Sequence, residues 1–497
     1  MKQPNILLIM CDQLRADAIG AYGNGVVRTP NMDRLARRGL TYTKAYSSCP
    51  VCMPARYTIR TGREPYNTGY YDNGGLHLEE GQPADPEERC GAYLPRTMRT
   101  LGYRTFGVGK FHTDPWNEDL GYEVQLRSEE LYDTEEQARG DDYARYIAER
   151  HPEYGHIEQL HGERTEMYYM PQTSPLPAEI TVEAWAADRA VELIGETDDD
   201  RPYFGFVSFI GPHPPLAPPV PFNRMYNPDA MPNPVRGELA VDHMDEQLPW
   251  MNYLIWAEDI DDPRARALKA RYYGEITYID ECLGKILDAV DRRPDADNTL
   301  IVFFSDHGDH MGDHHAWQKE SFFEAAARVP FLLSWPARLP EGERREELVS
   351  LTDLFAIATH AAGRTETRDG IDVLGAEAGS AEPRTHLFGW YGKPGTPTFK
   401  VMVRDPNFKY IFMANGGREQ LFHIGDDPDE LRELSGKLPP IAAAMRNIAA
   451  EEARRHPGLA RALSEDGGLR SFPFAARPYS RIRQFNLARG VADFQVN

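Results

Sequence analysis

Asn5-Ile6-Leu7-Leu8-Ile9-Met10, running into Cys11-Asp12-Gln13-Leu14-Arg15, is the stretch on which the architecture turns. A short unbroken apolar run closed by polar residues reads as a central strand of a parallel sheet, buried on both faces. Far downstream the pattern returns, with Asn298-Thr299-Leu300-Ile301-Val302-Phe303-Phe304 leading into Ser305-Asp306-His307-Gly308-Asp309. Residues 101–108 read as another strand, leading to Lys110, and residues 203–210 as an apolar run leading to Pro212-His213-Pro214. Ligands of parallel sheets gather at the carboxyl ends of the strands. Asp12, Gln13, Asp306 and His307 should therefore meet at one sheet edge, where two carboxylates make a candidate divalent-metal site.

Between these strands lies Cys52-Met53-Pro54-Ala55-Arg56, continued by Tyr57-Thr58-Ile59-Arg60-Thr61-Gly62. Pro54 suits the first turn of a helix, where its missing N–H costs nothing, and Gly62 suits the stop. Residue 52 then sits at a helix N-terminus, whose unpaired N–H groups and dipole favour an anion. Arg56, one turn on, can hold the residue-52 side chain in place. Cys49-Pro50-Val51-Cys52 is also a C-x-x-C, which allows a redox dithiol or half a zinc site, although Cys11, Cys90 and Cys282 supply no second pair. Cys49 also lies within disulfide reach of Cys52.

The Cys-x-Pro-x-Arg segment, together with both strand-end motifs, resembles the formylglycine-dependent sulfatases of the alkaline-phosphatase-like superfamily. The resemblance implies an α/β fold with a doubly wound, mostly parallel central sheet. It also implies a smaller C-terminal α+β subdomain of antiparallel sheet plus helix. In that family a maturation enzyme, an implied partner, oxidises the cysteine to formylglycine, whose hydrate attacks the sulfur of a sulfate ester. The implied ligands of one divalent metal are Asp12, Gln13, the residue at Cys52, Asp306 and His307. The commonest arylsulfatase pattern has aspartate where Gln13 stands and asparagine where His307 stands. The Asp-Gln and Asp-His-Gly motifs look more like choline sulfatases, iduronate-2-sulfatase-like enzymes and phosphonate monoester hydrolases. Calcium is the expected metal for an oxygen-rich shell, with manganese the alternative once an imidazole is included.

The implied catalytic set is Cys52, Arg56, Lys110, His112, His213 and Lys319. Lys110, His213 and Lys319 would bind the sulfate, with Asn73 a further substrate-binding candidate at the rim. By resemblance, His213 and Lys319 serve the leaving group, Asp306 accepts the attacking hydroxyl's proton, and His112 assists release of sulfate. Fixed cations aimed at anionic oxygens are what such a transition state requires. The expected activity is hydrolysis of a small or sugar sulfate monoester. A phosphonate monoester or phosphodiester hydrolase, and a non-catalytic sulfate-ester binder with unconverted Cys52, remain as alternatives. The Lys110-x-His112 pair favours the first.

Composition bounds the rest. At 497 residues the chain suggests one large and one smaller domain, taken as 1–382 and 383–497. A net charge of -22 argues against nucleic acid and against long-range attraction of a highly sulfated polymer. No apolar run approaches the ~20 residues of a membrane span. With few cysteines and an N-terminal run too short for a signal peptide, the expected location is cytoplasmic. Residues 264–291 show helical periodicity, residues 122–174 read as an irregular insertion at the site's mouth, and the Pro-rich 214–234 cannot be helix. Residues 398–404 and 409–413 read as paired strands. The Arg-, Phe- and Tyr-rich tail, 471–497, is expected to return to the main domain or to a partner subunit in a homo-oligomer. Arg15, His77, His310, His315 and Trp317 are further rim candidates. His310, His314 and His315 also raise the idea of a second metal.

Overall fold

The computed structural model describes residues 2–78, 81–129, 134–154, 169–196, 200–237, 245, 248 and 260–475. Strands β1 (Asn5–Cys11), β2 (Leu40–Tyr46), β3 (Arg104–Gly109), β4 (Val124–Arg127), β5 (Tyr203–Phe209), β6 (Thr299–Ser305), β7 (Phe331–Ser334) and β8 (Glu343–Ser350) form one sheet. Their order is β4-β3-β5-β1-β6-β7-β2-β8. Every pairing is parallel except those made by β7, which runs against both neighbours. The stretch 5–11 thus lies centrally, between β5 and β6, as its unbroken apolar run requires.

Alternation along β1 splits the core in two. Leu7, Ile9 and Cys11 face a layer containing the helices Val182–Gly195 and Asp262–Asp291. Ile6, Leu8 and Met10 face a layer containing α2 (Cys52–Thr61) and the helix Asp353–Ala361. The helix expected over 264–291 runs from Asp262 to Asp291, and it is a core helix: Leu268, Tyr272, Ile276, Ile279 and Leu283 are all buried. Asp280 on its inner side caps α1 (Pro30–Arg37), accepting the N–H groups of Asn31 and Met32 at 3.0 and 2.7 Å.

Strands β9 (Leu387–Tyr391), β10 (Lys400–Arg404), β11 (Phe408–Met413) and β12 (Arg418–His423) form a second, wholly antiparallel sheet. Val401, Val403, Tyr410 and Phe412 pack with the helix Pro439–Arg455. Met402, Ile411 and Met413 face Tyr46, Cys49, Val51 and Phe322 of the first body. The second sheet therefore backs the segment that leads into Cys52.

Two expectations need correction. Residues 122–174 are not an irregular insertion throughout: Val124–Arg127 extends the main sheet, and Glu135–Gly140 and Asp142–Arg150 are helices. The apolar signal there is only Val124 and Leu126, diluted by charged neighbours. The described part of the C-terminal tail packs not on the main sheet but on the turn between β11 and β12: the Phe472 N–H donates to Ala414 O at 2.8 Å, and Phe474 stacks under Arg418 at 3.8 Å. Residues 476–497 lie outside the described set. Within the described residues no helix is long and apolar enough to cross a membrane.

Candidate active site

Helix α2 begins at Cys52, and the backbone sets this up locally. Val51 is extended (φ -157°, ψ 145°) and precedes the first helical residue, while Gly62 takes the left-handed φ of 63° that ends the helix. Asn73 Oδ1 accepts the Met53 N–H at 3.0 Å, replacing a missing cap. Asn73→Ala is accordingly expected to lower unfolding free energy by about 1 kcal/mol, read by urea denaturation; an unchanged midpoint would discount the cap.

Around Cys52 the strand ends converge. Its sulfur lies 3.1 Å from His307 Nε2 and 3.7 Å from Asp12 Oδ1. His307 Nε2 is 3.7 Å from both Asp12 Oδ1 and Asp306 Oδ1. All four side chains are fully buried, and one ligand atom from each falls within 4.8 Å of the others. The His307 Nδ1–H faces the Gly308 carbonyl at 2.9 Å, which directs the Nε2 lone pair inward.

Arg56 ties this cluster to the sheet. Its guanidinium donates to Asp12 Oδ2 at 2.8 Å, Asp306 Oδ2 at 3.2 Å, Ser208 Oγ at 3.1 Å and the Lys110 carbonyl. Lys110 Nζ, at the end of β3, donates to the same Asp12 Oδ2 at 2.7 Å. Asp12 thus turns Oδ2 to two fixed cations and Oδ1 to Cys52 and His307, while Asp306 turns Oδ2 to Arg56 and Oδ1 to His307 and the backbone N–H groups of Gln13 and His307. Burial and the Cys52 sulfur push the Asp12 carboxyl up, but Lys110, His213 and Arg56 together hold it well below the usual range. Asp306 goes the other way, to about 6, because burial and Asp12 outweigh His307 and Arg56. Burial opposes ionisation of the Cys52 thiol, yet Lys319, Lys110 and His307 bring it well below its ordinary value.

His112, His213 and Lys319 also stand near Cys52. His112 and His213 each hydrogen-bond toward the sulfur. Lys319 Nζ donates to Gln13 Oε1 at 2.6 Å and to His213 Nε2 at 3.1 Å. His213 Nδ1–H faces the Pro214 carbonyl at 2.8 Å, so Nε2 is the acceptor. Burial, then Lys319, lowers the His213 pKa far below 6.5 and keeps the ring neutral. Several non-glycine residues here hold left-handed backbone: Gln13 (φ 66°), His112 (φ 50°), Gln318 (φ 74°) and Glu320 (φ 69°). Such strain collects where a fold fixes side chains for chemistry.

The expected residues therefore meet, with two qualifications of role. Gln13 joins the cluster through its backbone N–H, which donates to Asp306 Oδ1 at 3.1 Å. Its side chain runs from Lys319 to Tyr169 OH (3.0 Å) and the Asp309 carboxylate. Asn73 is engaged at the helix cap through its oxygen. Arg15, expected at the rim, is 9% exposed and paired with Asp17 and Asp313, each at 2.7 Å. His310 and Trp317 are likewise buried, and His314 stacks on Phe323 at 3.9 Å. Among the described residues, no second cluster of metal-binding type includes these histidines. His77 does lie near the surface, 3.5 Å from Asp72. Cys49 points away, its sulfur against the Tyr71 carbonyl at 3.7 Å, and all five cysteines are free, which removes the Cys49–Cys52 pairing.

The profile of the Sulfatase family matches residues 4–363. The chain belongs to this family. It is 27% identical over 449 residues to an arylsulfatase of Clostridium perfringens (strain 13 / Type A), covering 87% of this chain and 90% of the relative. The choline-sulfatase of Rhizobium meliloti (strain 1021) is 29% identical over 456 residues, 87% of this chain and 82% of its own. A solved phosphonate monoester hydrolase of Agrobacterium radiobacter superposes with a TM-score of 0.75 and 26% identity, over 95% of this chain and 100% of that one.

The metal implied by the family fits these residues. Asp12 and Asp306 each present an inward oxygen, His307 presents a lone pair oriented by its partner carbonyl, and Arg56 and Lys110 already neutralise the outer oxygens. Residues missed from sequence are those that act at one remove: Ser208 on Arg56, Tyr169 and Asp309 on Gln13, and Glu129, which accepts the His112 N–H at 3.0 Å. Asp309 alone carried a signal, in Asp306-His307-Gly308-Asp309.

Behind the His213 loop two carboxyls flank Gly211. Glu183 Oε1 accepts the Gly211 N–H at 3.3 Å, and a Cβ on Gly211 would lie 3.2 Å from Glu275 Oε1. Burial raises Glu183 to about 7, and burial with Glu183 raises Glu275 well above the usual range. Both folded values exceed the unfolded one, so the pair's contribution is complete below about pH 4.3 and is lost as pH rises through the folded values, about 7 for Glu183. Glu275→Gln should therefore lose less thermal stability between pH 5 and pH 8 than the wild type. Equal losses in both proteins would dismiss the pair as the cause.

Proposed function

We propose that this chain hydrolyses a small sulfate monoester, using formylglycine formed from Cys52. The observation that carries the reading is the gathering around one buried sulfur of Asp12, Asp306 and His307 together with His112, His213 and Lys319. Asp12, Asp306 and His307, with the residue at position 52, would hold a divalent cation. Bound there, such a cation lowers the pKa of a coordinated hydroxyl and neutralises anionic oxygens. Calcium is the proposed metal and manganese the alternative. A hydrated formylglycine supplies the attacking oxygen.

The remaining work falls to the chain's own side chains. Lys110 and Lys319 bracket position 52 with two ammonium groups, suited to the anionic oxygens of a sulfate group. Arg56 holds Asp12 and Asp306 at fixed distance, so little reorganisation accompanies charge development. His213, neutral and donated to by Lys319, sits where a proton can pass to a leaving oxygen through the lysine–imidazole pair. Position 112 is a second imidazole beside Cys52, placed to take a proton when sulfate departs; its Nδ1 is buried without a hydrogen-bond partner among the described residues.

The second reading is a phosphonate monoester hydrolase, favoured by the likeness to the Agrobacterium radiobacter enzyme. The two are separated by kcat/KM for an aryl sulfate against an aryl phosphonate monoester of the same leaving group, after peptide mass has confirmed conversion of Cys52. A preference for the sulfate ester supports the proposal. A preference for the phosphonate overturns it. Full activity with unconverted Cys52 overturns the formylglycine reading as well.

A further inference from the structure

While position 52 is still cysteine, the donor set is not that of a hard cation. Sulfur from Cys52, imidazole nitrogen from His307 and one oxygen each from Asp12 and Asp306 give four donors of mixed softness, all fully buried. Calcium takes six to eight oxygens, and a thiolate is a poor substitute for one of them. Zinc takes four ligands in a tetrahedron from this menu of sulfur, nitrogen and carboxylate oxygen. With zinc bonds of about 2.0–2.3 Å, tetrahedral ligand–ligand edges come to about 3.4–3.6 Å. Of the six edges, Cys52 sulfur to His307 Nε2 is 3.1 Å, and Cys52 to Asp12, His307 to Asp12 and His307 to Asp306 are each 3.7 Å; Cys52 to Asp306 and Asp12 to Asp306 are within 4.8 Å.

The surrounding contacts fit the same ion. His307 Nδ1–H is held by the Gly308 carbonyl, the outer-sphere contact that fixes a zinc-binding imidazole. The outer oxygen of Asp12 is held by Arg56 and Lys110 and that of Asp306 by Arg56, so the two Oδ1 atoms face the ion, that of Asp306 while also accepting the N–H groups of Gln13 and His307 at 3.1 and 2.9 Å. Those two cations also offset the excess negative charge that a thiolate and two carboxylates would carry around a dication. Cys49 takes no part, since its sulfur lies against the Tyr71 carbonyl.

We infer that the unconverted chain is a zinc protein: Asp12, Cys52, Asp306 and His307 bind one Zn2+ in the precursor, and oxidation of Cys52 removes the soft donor and with it the preference for zinc. Binding displaces the thiol proton to solvent and involves no redox step. The inference rests on the proposed function only in naming the converted form, and its test reads no enzymatic activity, so either can fail alone.

The test uses the full chain made without a maturation enzyme, with Cys52 confirmed by peptide mass, and stripped of metal. Titration with Co2+ alone should give one equivalent bound with a thiolate-to-cobalt charge-transfer band in the near ultraviolet, abolished by Zn2+. Zn2+ affinity is then measured against a chromogenic chelator. Losing an outer-sphere partner already costs 10–100-fold in metal affinity, so losing the sulfur itself, in Cys52→Ser, should cost at least about 100-fold. The converted chain should show the same loss, and it serves as the comparator if Cys52→Ser fails to fold. Cys49→Ser should retain both band and affinity. The inference is overturned if the band is absent, if it survives in Cys52→Ser or the converted chain, if Zn2+ affinity is equal with and without the sulfur, or if Cys49→Ser abolishes the band.

Discussion

Cys52→Ala is expected to reduce kcat for a sulfate ester by about 10⁴-fold or more, with far-UV circular dichroism and thermal midpoint close to wild type. Alanine is a good residue for the first turn of a helix, and Cys52 contributes no backbone constraint that alanine lacks. Its sulfur touches Asp12, His307, His112 and His213, and three of these are held by other partners: Asp12 by Arg56 and Lys110, His307 by Gly308, and His213 by Pro214 and Lys319. Residual turnover would come from the prearranged cations alone. The measurement is steady-state kinetics on mature wild type and the variant side by side. A variant retaining a tenth of wild-type kcat would show that the attacking atom does not come from position 52.

What made the fold legible was hydrophobic continuity. The runs 5–10 and 299–304 have no polar interruption, so only a strand buried on both faces suits them, and the parallel sheet with its active edge follows. The Cys52 helix was legible because proline and glycine punctuate both of its ends. Strand β4 was not, since an edge strand of four residues, half-buried at Val124, Gln125 and Leu126, carries little apolar signal. The site was legible where chemistry demands a residue type, as at Asp12, Cys52, Lys110 and Asp306. It was not where a residue acts by position. Nothing in sequence says that Tyr169 reaches across to Gln13, or that Arg15 is buried against Asp313 instead of lining the rim. Those contacts depend on how loops fold back over the sheet edge, a long-range matter with no local period.

Arg56→Met is expected to destabilise the chain by about 3–5 kcal/mol at pH 7, as removal of one partner from a buried ion pair does. Arg56 is 2% exposed and bonds two carboxylates at once, Asp12 and Asp306, along with Ser208 and the Lys110 carbonyl. Methionine fills much of the volume, so the loss is electrostatic and not a cavity. Asp12 keeps Lys110, whereas Asp306 keeps, among the described residues, the N–H groups of Gln13 and His307 and the imidazole of His307. Without the guanidinium the Asp306 carboxyl, already raised to about 6 by burial and Asp12, holds its proton more strongly still in the folded state. Its raised folded pKa makes the deficit shrink as pH falls from 7 to 5, because protonation then favours the fold. Arg56→Lys keeps the charge but not the planar fork, and should recover only part of the loss. Urea unfolding of the three proteins in metal-free buffer at both pH values decides the matter. A deficit below about 1 kcal/mol, or one that grows toward pH 5, would mean that the carboxylates at this sheet edge are balanced by something other than Arg56.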